Sequence, residues 1–108
     1  MELTTKTCGT WWAKIYISGP IEVAKQLLRE ECKRKGLCIT IEPTDYIYTG
    51  GEETGYVVGL LNYPRFPVSN EALDQRAIEI AKMLRDRTFQ SSVLVQLPNI
   101  THWFTDRE

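Results

Sequence analysis

Histidine and cysteine, which commonly act as catalytic bases, nucleophiles or metal ligands, are scarce in this sequence. His102 is the single histidine, and no serine or cysteine pattern beside it indicates a nucleophile–base pair. The three cysteines, Cys8, Cys32 and Cys38, lack the CxxC spacing of a zinc site. Cysteines of this kind are usually small buried side chains. We therefore expect no catalytic residue, no metal ion and no cofactor.

A glycine-rich stretch, Tyr-Thr-Gly-Gly-Glu-Glu-Thr-Gly at residues 48–55, is the most unusual in composition. Its glycines permit positive φ angles and let backbone N–H groups approach a bound anion. The alternative is a plain hairpin loop. Glu52 and Glu53 resemble a catalytic carboxylate pair, but adjacent residues on a mobile tip are poorly held. We expect a solvated charged tip instead.

A second candidate is the connection Asn-Tyr-Pro-Arg-Phe-Pro at residues 62–67. Prolines stiffen this loop, so it would present Arg65 with little loss of entropy. The guanidinium of arginine is suited to phosphate or carboxylate recognition. The alternative is a stiff connector whose rings pack against the edge of a sheet.

Hydrophobic periodicity predicts the elements that would position these residues. Strands are expected at residues 14–17, 37–42, 56–61 and 93–97. The second strand is interrupted by a bulge or edge position at Pro43 and resumes at residues 46–48. Helices are expected at residues 20–35 and from Ser69 or Asn70 to residue 84. Ser18 or Gly19 is expected to cap the first helix. The order β-α-β-β-α-β predicts an α+β, ferredoxin-like fold, with an antiparallel sheet and both helices on one face. We expect a single domain over residues 1–108, with an N-terminal extension at 1–11 and a short strand or tail at 99–108.

The sheet face without helices is the expected binding surface. If Ile15 and Ile17 face the helices, Tyr16 points to the open side, and the same parity places Tyr46 and Tyr48 there. The alternative is that cross-strand tyrosine pairs stabilise a sheet or a homodimer seam. The residues expected to bind a ligand are Tyr16, Tyr46, Tyr48, Gly50, Gly51, Tyr56, Asn62 and Arg65.

Tryptophans indicate a second kind of contact. Trp11, Trp12 and Trp103 are either core side chains or interface anchors. Because Trp11 and Trp12 are adjacent, at least one indole should be exposed in a monomer. We expect these residues to lie in an interface, and the protein to form a homodimer or a higher oligomer.

The charge balance disfavours nucleic acid as a partner. The net charge is −1, whereas proteins that hold nucleic acid through its phosphates usually carry a basic excess. Three basic residues recur every four positions along the first predicted helix: Lys25, Arg29 and Lys33. They form either a phosphate-binding stripe or a solvated outer face. No apolar run is long enough to cross a bilayer, and the first residues do not form a signal peptide. We expect a cytoplasmic protein without membrane contact.

Several segments together resemble a group of short, uncharacterised phage and prophage proteins. They include Lys-Ile-Tyr-Ile-Ser-Gly at residues 14–19, Tyr-Ile-Tyr-Thr-Gly-Gly-Glu-Glu at 46–53 and Gly-Leu-Leu-Asn-Tyr-Pro-Arg-Phe-Pro at 59–67. The resemblance implies no named activity. It does imply an infected bacterial host, where small phage domains often neutralise defence systems.

Sequestration fits a chain with no expected catalytic group. The sequence therefore favours a non-enzymatic, counter-defence binding protein that sequesters a nucleotide-derived signalling molecule. One alternative is an anti-CRISPR-like inhibitor that binds a host defence protein through the aromatic sheet surface. Another is single-stranded RNA binding in the manner of an RNA recognition motif, whose topology is the same.

Overall fold

The computed structural model describes residues 1–107 of the chain. Two helices and five strands follow one another as β1 (Trp12–Ser18), α1 (Ile21–Lys35), β2 (Ile39–Tyr48), β3 (Gly51–Leu61), α2 (Asn70–Arg87), β4 (Ser92–Gln96) and β5 (Thr101–Thr105). The strands form a single sheet in the order β2-β3-β1-β4-β5, in which all neighbours are antiparallel. The predicted α+β, ferredoxin-like fold is confirmed, with β5 added beside β4.

The hydrophobic core lies between the helices and one face of the sheet. Ile15 and Ile17 of β1 are almost fully buried, as the alternation of the strand predicts. Helix α2 packs over β1 and β4 and buries Ala77, Ile80 and Leu84 against them. This arrangement leaves the opposite face of the sheet without a covering layer.

The ends of both helices follow from local sequence. Ser69 caps α2, because its side chain accepts a hydrogen bond from the amide of Ala72 at 3.1 Å. Gly36 ends α1 in the left-handed conformation, with φ 58°. The prediction that Ser18 or Gly19 caps α1 is wrong, because Pro20 occupies that position. Within residues 1–107 no helix is long and apolar enough to span a membrane.

The hairpin of β2 and β3 is longer than the sequence pattern predicts. The two strands pair without interruption from Ile39↔Leu60 to Tyr48↔Gly51, so the glycine-rich stretch is strand and the predicted loop is wrong. The turn is reduced to Thr49 and Gly50, whose φ is 91°. Pro43 causes no bulge in the pairing, because β2 lies at the edge of the sheet and one side of it needs no partner.

The far end of this hairpin extends beyond the helices. Ile47 has the same parity as the partly buried Ile39 and Ile41 but is 78% exposed, since no helix covers that end. The unbroken register keeps Tyr46 and Tyr48 on the open face together with Thr40. The hairpin therefore forms one wall of any site on that face.

Candidate functional site

A cavity of about 540 Å³ lies on the open face of the sheet. Strands β1, β4 and β5 form its floor, and β2 and β3 contribute one wall. The volume falls within the range of about 300–1,000 Å³ that is usual for small-molecule sites. Its position opposite the helices follows from the parity of the strands.

One end of the cavity is aromatic. Tyr16 pairs with Leu94, and Leu94 pairs with Trp103 on the next strand, so the three side chains form a row across the sheet. Trp103 is 51% exposed, and its indole ring is open to a ligand. Gln96 and Thr101, which pair with each other, add an amide and a hydroxyl at this end.

A hydrogen bond fixes the amide at the aromatic end. The hydroxyl of Tyr16 donates to Oε1 of Gln96 at 2.9 Å. The Gln96 amide NH₂ group is therefore left to donate to a ligand. An aromatic surface beside an oriented amide is an arrangement suited to a heterocyclic base.

The other end of the cavity carries both signs of charge. Glu53 lies on the open face of β3, and its Oε2 accepts a hydrogen bond from the hydroxyl of Ser18 at 2.7 Å. Arg107 lines the cavity from the residues that follow β5, and its Nε donates to the hydroxyl of Ser91 at 2.8 Å. A carboxylate and a guanidinium at one end of a cavity match a zwitterionic group.

Tyr46 lies on the wall between the two ends. Its hydroxyl donates to the carbonyl of Tyr56 at 2.6 Å and accepts from the amide of Ile17 at 3.0 Å. The hydroxyl thus joins β1 and β3. Burial raises the pKa of Tyr46 to about 12, so near neutral pH this phenol stays protonated and cannot act as a base.

The residues that the sequence predicts as a ligand site do not all converge. Tyr16 and Tyr46 line the cavity. Tyr48 shares their face of the sheet, but its ring packs against Gly51 at the end of the hairpin. Gly50 forms the turn itself. These last three residues lie outside the cavity, because the hairpin is extended where a compact loop was expected.

Tyr56 lies in the core, away from the cavity. Its exposed fraction is 0%, and its ring faces the helices together with Val58 and Leu60. Burial raises the pKa of its phenol to about 12. The nearby Thr88 hydroxyl limits this rise in pKa. That hydroxyl donates its own proton to the carbonyl of Leu84 at 2.6 Å. Among residues 1–107 the Tyr56 hydroxyl has no hydrogen-bond partner.

Asn62 and Arg65 also lie outside the cavity. The amide of Asn62 donates to the carbonyl of Gly9 at 2.8 Å and accepts from the amide of Val68 at 2.9 Å. This side chain therefore holds the connection between β3 and α2 in place. Arg65 lies over the ring of Phe66, 6.0 Å from its centroid.

The three tryptophans have three different environments. The indole N–H of Trp11 donates to Asp74 of α2 at 2.7 Å, and the ring packs against the core. Trp12 is partly exposed on β1, and Trp103 lines the cavity. Trp11 thus packs and hydrogen-bonds within its own chain. The interface predicted from the three indoles remains a prediction.

Two solved structures share the fold over nearly the whole chain. "Phage SAM lyase in apo state" has a TM-score of 0.72 and 21% identity, with 99% of this chain and 98% of that one covered. "Phage SAM lyase in complex with S-methyl-5'-thioadenosine" has a TM-score of 0.65 and 18% identity, with 97% and 96% covered. No family model matches this sequence, and no curated protein matches it. At these identities the likeness establishes the fold.

These neighbours overturn the predicted non-enzymatic function. The sequence predicts a protein that binds a ligand without catalysis, yet both neighbours are lyases of the same fold and nearly the same extent. The prediction is wrong because it requires a histidine, cysteine or carboxylate pair for catalysis. The RNA-binding alternative fails on geometry as well, since β3 presents Gly55, Val57 and Gly59 to the open face where base stacking needs aromatic rings.

Sequence reasoning missed most of the polar residues of the cavity. Ser18 is predicted only as a helix cap, Gln96 and Thr101 carry no motif, and Arg107 lies in the expected tail. Glu53 is predictable from the sequence if the turn is placed at residues 49 and 50. Strand pairing then sets Glu53 opposite Tyr46 on the open face. The same alternation turns Glu52 to the other face, so the two adjacent carboxylates never form a pair. Within residues 1–107 no cluster of three or more His, Cys, Asp or Glu side chains could hold a metal ion.

Proposed function

We propose that this protein is a lyase that cleaves S-adenosylmethionine (SAM) in the cavity on the open face of its sheet. One observation supports the proposal: a fold shared with SAM lyases holds a cavity with an aromatic end and an end that carries a carboxylate and a guanidinium. SAM has the same division, with an adenine at one end, an amino-acid group at the other and a sulfonium between them.

The adenine is assigned to the aromatic end. Its ring would stack on Trp103, with Tyr16 beside it, and stacking of a base on an aromatic ring contributes about 1–3 kcal/mol. The Gln96 amide, held by Tyr16 at 2.9 Å, donates to a ring nitrogen. The same end would hold 5'-methylthioadenosine, the nucleoside part that remains after cleavage and the ligand named for one of the two solved neighbours.

The amino-acid group is assigned to the charged end. The carboxylate of Glu53, fixed by Ser18, accepts from the α-ammonium group, and Arg107 donates to the α-carboxylate. The sulfonium then lies near the ring of Tyr46, where the negative face of an aromatic ring stabilises a cation. Substrate binding in this pose needs no metal and no cofactor.

The bond that breaks is the one between the sulfonium and Cγ of the amino-acid chain. We propose that an oxygen of the substrate's own α-carboxylate attacks Cγ, so that a C–O bond forms as the C–S bond breaks. The bonding electron pair goes to sulfur, which leaves as the neutral thioether of 5'-methylthioadenosine. The remaining fragment is a five-membered lactone, and no water, base or oxidant is consumed.

Such a reaction depends on the orientation of the substrate and on displacement of water from the two reacting groups. The carboxylate and the sulfonium neutralise each other in the transition state, so removal of water from around them favours the reaction. Holding the chain folded for attack saves the entropy that the free substrate must lose. A site with no histidine, and with Tyr46 held protonated by its pKa of about 12, is sufficient for this chemistry.

Product analysis tests the proposal. Purified protein incubated with SAM should release 5'-methylthioadenosine and the amino-lactone in equal amounts, both above the spontaneous rate and measured by liquid chromatography with mass detection. Formation of S-adenosylhomocysteine would instead indicate methyl transfer. An unchanged SAM concentration, with protein that binds 5'-methylthioadenosine, would remove the catalytic proposal.

A SAM-cleaving protein would act in the cytoplasm of an infected host, where SAM is made and used. Loss of SAM deprives host defence enzymes of their methyl donor, and this is the form of counter-defence that we propose. The predicted homo-oligomer stays part of this proposal, and native mass spectrometry of the purified protein tests it.

A further inference from the structure

A second concave surface lies on the helix side of the sheet, between α1 and the edge strand β2. This groove has a volume of about 630 Å³. Its floor is apolar and consists of Leu28, Cys32, Ile39 and Ile41. No residue of this groove lines the cavity on the open face, so the two surfaces are separate.

The rim of the groove on the α1 side is basic. Three cationic side chains line it at intervals of one helical turn: Lys25, Arg29 and Lys33. Glu30 is the single acidic residue among those that line the groove. Lys25 pairs with Glu22 outside the groove at 3.3 Å. Arg29 donates a hydrogen bond to the side-chain amide oxygen of Gln26 at 3.4 Å, and neither Arg29 nor Lys33 forms an ion pair within residues 1–107. The rim therefore carries cations that are available to an anionic partner.

The other side of the groove is a strand with an unpaired edge. β2 is the first strand in the sheet order, so the backbone N–H and C=O groups along one side of it have no strand partner. An unpaired edge of this kind accepts an additional strand, here along residues 39–42, because Pro43 has no N–H and limits pairing beyond that point. Alternate side chains of an added strand would point to the helix side, over the floor of Ile39 and Ile41 and towards the basic rim.

We propose that β2 and the basic row of α1 form a docking groove for an extended peptide segment with acidic side chains at alternate positions. Carboxylates on glutamate stems reach the rim, and their methylene groups cover the floor. The rim charges disfavour a second copy of this chain, since two β2 strands paired edge to edge would bring two rows of α1 cations close together. The aliphatic floor disfavours nucleic acid, whose bases need aromatic rings for stacking.

Fluorescence anisotropy with a labelled peptide of alternating Glu and Thr tests the proposal on the full chain. Saturable binding that weakens as salt is added is expected, because the rim contacts are electrostatic. The double variant Arg29→Ala/Lys33→Ala should weaken binding about 3- to 10-fold. Its matched control, Lys14→Ala/Arg65→Ala, removes the same charge away from the groove and should bind as the parent does.

Two further probes separate strand addition from simple charge attraction. The same peptide with N-methyl groups on alternate amides cannot pair with β2 and should lose most of its affinity. Saturating 5'-methylthioadenosine should not displace the peptide. The proposal is overturned if the N-methylated peptide binds equally well, if the two double variants behave alike, or if no peptide binds. Stronger binding of a single-stranded oligonucleotide at the same site would also overturn it.

Discussion

The phenol ring of Tyr46 lies across the α-carbon of Gly55. A β-carbon at Gly55 would lie 2.8 Å from Cε2 of Tyr46 and would overlap the carbonyl oxygen of Ile17. Only the absence of a side chain lets the ring cross β3 and place its hydroxyl between β1 and β3. The wall of the cavity therefore depends on a glycine that does not itself line the cavity.

Gly55→Ala should displace the Tyr46 ring and destabilise the fold by about 1–3 kcal/mol, as overpacking usually does. The backbone oxygen of Ile17 cannot move aside as a flexible side chain could. Urea denaturation measures the change in free energy of unfolding. Gly9→Ala is the matched control, because a β-carbon there meets nothing within 4 Å. Equal stabilities of the two variants would contradict this account of the wall.

Much of the fold is predictable because single strands and helices carry their own periodicity. Ile15 and Ile17 alternate with Tyr16, and that parity alone places Tyr16 on the open face. The hairpin is less predictable, since a proline and several glycines normally interrupt a strand. Here Pro43 is tolerated at a sheet edge, and Gly55 is required by a ring from the neighbouring strand.

The cavity is mostly beyond prediction, because its residues meet only through the strand order. Gln96 on β4 reaches Tyr16 on β1, 80 residues away in the chain. Nothing local in either segment indicates that contact. The sequence prediction that Tyr56 binds a ligand is wrong, because the register of the hairpin turns its ring to the helices.

Glu53→Gln should lower kcat/KM for SAM about 10- to 100-fold, because a charged hydrogen bond to the α-ammonium group contributes about 1.5–3 kcal/mol. Steady-state formation of 5'-methylthioadenosine measures it. Glu52→Gln removes the same charge from the adjacent residue on the opposite face of β3 and should leave the rate within about twofold. A loss of activity in both variants alike would point to the overall charge of the hairpin and against a contact with substrate.

Trp103→Ala should weaken binding of 5'-methylthioadenosine about 5- to 100-fold through loss of base stacking. Isothermal titration calorimetry measures the dissociation constant directly. Tyr48→Ala serves as the control, because Tyr48 is 52% exposed on the same face but does not line the cavity. Weaker binding in Tyr48→Ala, with no change in Trp103→Ala, would contradict the proposed position of the adenine and indicate that it binds at the hairpin.

Stability should fall in alkaline solution through two phenols. Burial raises the pKa of Tyr46 and of Tyr56 to about 12 in the folded state, against about 10 in the unfolded chain. The neutral phenols therefore contribute stability that is complete below about pH 10 and is lost as the pH rises towards 12. Denaturation midpoints measured from pH 8 to pH 12 test this direction.

The two tyrosines should differ when each is replaced by phenylalanine. Tyr46→Phe leaves the Ile17 amide and the Tyr56 carbonyl without their partner, and should cost about 1–3 kcal/mol at neutral pH. Tyr56→Phe removes a buried hydroxyl with no partner among residues 1–107, and should be neutral or stabilising. Both variants should show a smaller alkaline loss than the parent. A destabilising Tyr56→Phe would reveal a hydrogen bond to Thr88.

Phe89→Gly should stabilise the protein by about 1 kcal/mol, since a residue with a β-carbon is strained in the left-handed conformation. Phe89 follows α2 with φ 57° and is 92% exposed, while the next amide, of Gln90, donates to the carbonyl of Arg85 at 3.0 Å. This is the position at which glycine usually ends a helix. Urea denaturation measures the gain, and Phe89→Ala, which keeps a β-carbon but loses the ring, should stay close to the parent. A less stable Phe89→Gly would show that the exposed ring contributes contacts that outweigh its backbone strain.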